Sequence, residues 1–118
     1  VSLGQGCIAY TPHESSKSKL ILKLLSTCGH CFEIEEKYFD VFTALAGSGP
    51  AFICLITEAL ADGAVKMGLS RNLALEVATK MISGTAALLL QDKNHPAILK
   101  DQICSAGGMS IAGIHALE

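Results

Sequence analysis

The spacing of apolar positions changes character near residue 36. Before it, short runs alternate with one helical stripe. Cys7-Ile8-Ala9-Tyr10 is compact and apolar and predicts a short strand. Thr11-Pro12-His13-Glu14 then predicts a helix start, with Thr11 as N-cap, Pro12 in the first turn and Glu14 closing a capping box. Leu20, Ile21, Leu24, Leu25 and Cys28 fall on one face of that helix, and Gly29 is the predicted stop. Cys31-Phe32-Glu33-Ile34-Glu35 alternates as a strand does. Strand, helix, strand is the order at the tail of an α/β domain, and two strands do not make a stable sheet alone. The expectation is that an N-terminal part of that domain is absent.

From Lys37 onward every period is helical. Tyr38, Val41, Phe42 and Leu45 recur at helical spacing until Gly47-Ser48-Gly49-Pro50, which predicts a break. Pro50 then suits the first turn of a new helix running to about Met67 and stopping at Gly68. Ser70 is the expected cap of the next helix, with Leu73, Val77, Met81, Leu88 and Leu89 turned inward. His95-Pro96 opens a shorter helix through Ile103. A last helix, carrying Ile111, Ile114 and Leu117, follows Ser105-Ala106-Gly107-Gly108. The Ala51–Val65 stretch is apolar nearly all round and demands burial on every side. One small chain does not supply that burial, which predicts a partner subunit.

Composition sharpens this picture. Half of the 118 residues are hydrophobic, 17% are charged, 5% are aromatic and none is Trp, so the apolar surface is aliphatic and suited to helix packing or a subunit interface. The length allows one modest core. A net charge of -2 gives no electrostatic ground for a nucleic-acid partner. The longest apolar run, Ala51 to Ala61, contains Glu58 and meets Asp62, so no membrane span is expected. Cys7, Cys28, Cys31, Cys54 and Cys104 make an odd set, which points to a reducing compartment rather than a disulfide scaffold. The chain opens on Val1 rather than Met, so the lack of a signal-peptide pattern says nothing of targeting, and the expected compartment is cytoplasmic or mitochondrial.

Several motifs carry a sharp and a plain reading. Gly4-Gln5-Gly6-Cys7-Ile8-Ala9 has the letters of a dinucleotide fingerprint, but only Val1–Leu3 precede it and no helix opens inside it, so a turn into a strand is favoured. Cys28-Gly29-His30-Cys31 spells a disulfide-isomerase tetrad, yet Cys28 is placed at a helix C-terminus, where the dipole disfavours a thiolate. Glu58 and Asp62, four apart, are read as structural partners of Lys66 or Arg71 before an acid and base pair. His13, His30, His95 and His115 show no metal-ligand spacing, and His95 reads as a helix cap. The glycine pair Gly107-Gly108, flanked by Ser105 and Ser110, opens a helix and so aims backbone N–H groups and the positive dipole end at an anion.

Taken together, Ala44-Leu45-Ala46-Gly47-Ser48-Gly49-Pro50-Ala51-Phe52, Glu58-Ala59-Leu60-Ala61-Asp62-Gly63, Met67-Gly68-Leu69, His95-Pro96, Leu99-Lys100-Asp101 and Ser105-Ala106-Gly107-Gly108 resemble pyrroline-5-carboxylate reductase in order and spacing. The resemblance implies a mainly α chain. Residues 1–36 would be the end of a Rossmann domain, and 37–118 a helical dimerisation and substrate domain without the family's last helix. It implies reduction of the small-molecule substrate 1-pyrroline-5-carboxylate to L-proline with NAD(P)H, by a homodimer or higher oligomer. The nucleotide-binding half would lie outside these residues, the chain being a fragment or truncated product.

The family's substrate loop falls on Ser105, Gly107, Gly108, Met109 and Ser110, the backbone holding a carboxylate and the catalytic hydroxyl of Ser110 meeting the ring nitrogen. Ala106, Ser110 and Ala46 stand where the family usually has Pro, Thr and Ser. A second reading is a non-catalytic oligomerisation module that co-assembles with full-length reductase. A strand followed by Gly-x-Gly-x-x-Gly upstream of Val1 would favour the first.

Overall fold

The structure is a computed structural model and describes residues 3–12 and 16–118. Its elements are β1 (Gly6–Tyr10), α1 (Ser16–Leu25), β2 (Gly29–Glu33), α2 (Glu36–Lys66), α3 (Arg71–Asp92), α4 (Pro96–Ile103) and α5 (Met109–Leu117). The chain is mainly helical, with one β-α-β unit in front. It divides into two compact units, Val1–Ile56 and Thr57–Glu118, the boundary falling within α2.

In the first unit β1 and β2 pair in parallel, from Gly6 opposite Gly29 to Tyr10 opposite Glu33. The ladder is extended at both ends, by Gly6 N–H to the Cys28 carbonyl at 3.2 Å and by Ile34 N–H to the Tyr10 carbonyl at 3.0 Å. Tyr10 hydroxyl donates across the pair to Glu33 Oε2 at 3.2 Å. Gly29, expected only to stop α1, opens β2 two residues before the predicted strand start. The reason is steric. A Cβ on Gly29 would overlap the Gly6 carbonyl oxygen and lie 2.6 Å from its carbon, so the two backbones meet only because residue 29 is glycine. The Glu14 half of the expected capping box lies outside the described residues. Thr11 Oγ1 donates instead to the Ile34 carbonyl at 3.2 Å.

The expected break at Gly47-Ser48-Gly49-Pro50 is overturned, because α2 runs through it. The helix begins as a 3₁₀ turn (Glu36–Tyr38), passes through one α turn (Phe39–Phe42) and widens into a π-helical stretch (Thr43–Ser48) before Gly49–Lys66. Pro50 has no N–H for the Ala46 carbonyl and its ring would strike that group in a regular α-helix. A π stretch relieves the clash without ending the helix. Phe32 of β2 meets Phe42 at 6.0 Å between ring centroids, tilted 52°, and so fixes the start of α2 against the strand pair.

In the second unit α2 ends at Lys66, as the sequence predicts, and Leu69 N–H returns to the Ala64 carbonyl at 3.1 Å. Ser70 takes the N-cap position of α3, but its hydroxyl makes no capping bond. The ion pair of Asp62 with Arg71 joins the end of α2 to the start of α3, one of the two partners expected for that carboxylate.

Among the described residues the buried hydrophobic side chains are three alanines, Ala61 of α2 and Ala74 and Ala78 one turn apart on α3. Of the residues expected inward on α3, Leu73, Val77, Met81 and Leu88 are exposed and Leu89 is half-buried. Phe52 and Leu55 of α2 are 63% and 64% exposed, as the all-round apolar pattern foretold for a helix awaiting a partner. Cys54, on the same helix, is exposed, and all five cysteines are free. The helices Glu36–Lys66 and Arg71–Asp92 are long and apolar enough, by length and composition, to cross a membrane. Continuity through Pro50 makes the first helix 31 residues long. A helix covered by another subunit passes the same test.

Gly29→Ala should disrupt the β1–β2 pair, because nothing in a backbone carbonyl can yield to the new methyl. A loss on the order of 3 kcal/mol is expected in chemical denaturation. A stability within experimental error of the parent would refute the close-approach argument.

Candidate functional site

The candidate loop lies wholly within the second unit, between α4 and α5. α4 is closed at its start: His95 takes the N-cap position, and its Nδ1 accepts from Ala97 N–H at 3.2 Å. Pro96, at the first position, has no N–H to satisfy. The sequence reading of His95 as a cap holds.

α5 begins differently. Ser105, Ala106, Gly107 and Gly108 form a four-residue turn, closed by Gly108 N–H to the Ser105 carbonyl at 3.0 Å. Gly107 has φ +69°, at the turn position where a positive φ favours glycine. Ala106 precedes it, at the position where proline is favoured in such turns, which explains the family preference there. Gly108 is the N-cap of α5 and offers no side chain to it. The first bond of the helix is Ala112 N–H to the Gly108 carbonyl at 3.3 Å. The N–H groups of Met109, Ser110 and Ile111 therefore precede the helical ladder and are not capped by their own N-cap residue.

The loop is also tight within itself. A Cβ on Gly108 would overlap Ser105 Oγ and lie 3.1 Å from the Ser105 carbonyl oxygen. The structure thus brings all five expected loop residues into one turn and the first helical turn. Met109 is 94% exposed, and Ser105, Gly107 and Ser110 are exposed as well. Three N–H groups on exposed residues, the positive end of a nine-residue helix and two nearby hydroxyls can bind a carboxylate and donate to a neighbouring nitrogen.

One interaction is invisible in the sequence. Lys100, in the last turn of α4, donates from Nζ to Glu118 Oε1 at 3.0 Å, at the end of α5. The residues are 18 apart, and no local spacing rule marks such a pair. The hydrogen bond to Glu118, and then its negative charge, raise the Lys100 pKa above 10.5.

The other motifs fall where the plain readings put them. Gly4 is in a turn, and Gly6 through Ala9 are strand. Cys28 follows α1 and Cys31 lies inside β2, so no helix N-terminus faces either thiol. Among the described residues no group of three or more His, Cys, Asp or Glu is placed to hold a metal ion.

Comparison with known proteins settles the ancestry of this arrangement. Residues 36–118 match the family model described as pyrroline-5-carboxylate reductase dimerisation. The chain belongs to the pyrroline-5-carboxylate reductase family. It is 49% identical over 104 residues to pyrroline-5-carboxylate reductase 3 of Macaca fascicularis, covering 88% of this chain and 38% of that protein. Over 99 residues it is 48% identical to the pyrroline-5-carboxylate reductase of Glycine max, covering 84% and 36%. A 1-pyrroline-5-carboxylate reductase structure from Streptococcus pyogenes superposes with a TM-score of 0.89 at 40% identity, over 98% of this chain and 46% of that one. The Plasmodium falciparum enzyme, solved with NADP bound, gives 0.87 at 34% identity, over 98% and 45%. The chain thus spans less than half of the length of these relatives.

Within this reductase-family fold, the raised Lys100 pKa fixes a sign. The folded state holds that proton more tightly than the unfolded one, so the ion pair contributes fully below 10.5 and is lost as pH climbs through the raised value. A side-chain NMR titration should place the Lys100 midpoint above 10.5 and return it toward 10.5 in Glu118→Gln. An unmoved midpoint would contradict the pairing.

Proposed function

We propose that residues 37–118 are the dimerisation and substrate domain of a pyrroline-5-carboxylate reductase, and residues 1–36 the closing part of its Rossmann domain. The reaction is the two-electron reduction of the C=N bond of 1-pyrroline-5-carboxylate to L-proline. The observation that carries this reading is the Ser105–Gly108 turn, which opens α5 onto uncapped N–H groups in a segment matched by the family model. The Met109, Ser110 and Ile111 amides would hold the substrate carboxylate. The Ser110 hydroxyl would donate to the ring nitrogen and make the imine carbon a better acceptor.

NAD(P)H is the hydride donor on this reading. The described residues do not fit its phosphates, since Gly6 through Ala9 are strand paired to β2 and open no helix. No step is therefore assigned to the cofactor in this chain.

Assembly is supported by uncovered apolar side chains on one helix, Phe52 and Leu55 of α2 being 63% and 64% exposed. A non-catalytic oligomerisation module would share this feature, so it does not separate the two readings.

Catalysis and assembly are tested apart. In the reductase carrying this chain, Ser110→Ala should lower kcat on the order of 10²-fold with a small change in KM. Unaltered turnover would remove Ser110 from the chemistry and leave the oligomerisation module standing. Sedimentation at low micromolar concentration should show a dimer or larger species, and a well-folded monomer would refute the assembly.

A further inference from the structure

We propose that Lys100 and Glu118 are positioning residues, whose ion pair fixes the axis of α5 and thereby the direction of the N–H groups at its start. The proposal rests on the reading that this loop binds a carboxylate.

The N–H groups of an α-helix lie nearly along its axis, so the aim of the first three is the aim of the helix. α5 is joined to α4 by Cys104–Gly108, which ends in two adjacent glycines. The link is a single short turn, so one further attachment is needed to set the direction of the helix that follows it. The turn bond from Gly108 to Ser105 holds the turn itself but not the direction of the helix beyond it. The second attachment is at the far end, where Glu118 meets Lys100 at 3.0 Å.

Distance makes this attachment effective. Nine residues span about 13 Å, so a 10° swing about the glycines would move the far end by about 2 Å. A swing of that size separates the two groups beyond hydrogen-bond distance unless both side chains turn to follow it. The pairing joins an ammonium to a carboxylate. The Lys100 side chain is 39% exposed, so its stem is partly held before the bond forms. An ion pair this exposed adds little to global stability. Its effect is therefore directional.

Residual dipolar couplings read N–H direction and test this in the 118-residue chain in its assembled form. Lys100→Met and Glu118→Gln should each reduce the couplings of Ala112 to Leu117 by roughly a third or more, through averaging of the axis, while helix content and melting temperature stay near the parent values. The exchanged pair, Lys100→Glu with Glu118→Lys, should restore them. In the reductase carrying this chain, the single variants should raise KM for the imine acid several-fold with kcat nearly unchanged. Undiminished couplings in Lys100→Met, or no recovery in the exchanged pair, would overturn the positioning role. L-Proline titrated into the unsubstituted chain should shift the Met109 to Ile111 amides. If it does not, the carboxylate reading fails and the link from axis to binding fails with it, even where the couplings respond as expected.

Discussion

The helices of this chain cannot cover their own aliphatic sides, and most of its other properties answer to that constraint. Phe52, Leu55, Ile56 and Leu60 surround α2, and Leu73, Val77, Met81 and Leu88 line α3, all exposed within one chain. Among the described residues the buried hydrophobic side chains are alanines, too small to make a core of the usual kind. A match to a dimerisation family is what this arrangement of surface would require. The low aromatic content agrees, because long aliphatic helices pack by interdigitation.

Against that background α4 and α5 show two treatments of the same problem. Every helix start leaves N–H groups that need acceptors. At α4 the His95 ring accepts one, and Pro96 removes another. At α5 neither device is present, and the preceding glycine has no side chain to lend. On the proposed reading the donors left there are what a negatively charged substrate group would meet.

Much of this is legible in the residues. The strand at Cys7–Tyr10, the stop after Lys66, the His95 cap and the glycine turn opening the last helix are each dictated by local chemistry that nothing distant overrides. The failures have identifiable causes. Gly47-Ser48-Gly49-Pro50 looks like a helix break because proline removes a bond, but a helix can widen instead of ending, and no propensity rule weighs the two. Gly29 reads locally as a stop, while its decisive neighbour, Gly6, lies 23 positions earlier in the chain. An inward face on α3 presumes that one chain has an interior to offer. The loop residues are legible through family resemblance, and the geometry adds why small residues sit there. Lys100 with Glu118 has no sequence signal at all, since contact across a folded link leaves no period.

The contact between Ser105 Oγ and the vacant side of Gly108 has an evolutionary reading. A side chain gained at 108 would require a different rotamer at Ser105. The carbonyl of Ser105, 3.1 Å away, would still press on the newcomer. A change at 108 therefore meets an internal steric cost before any ligand is considered.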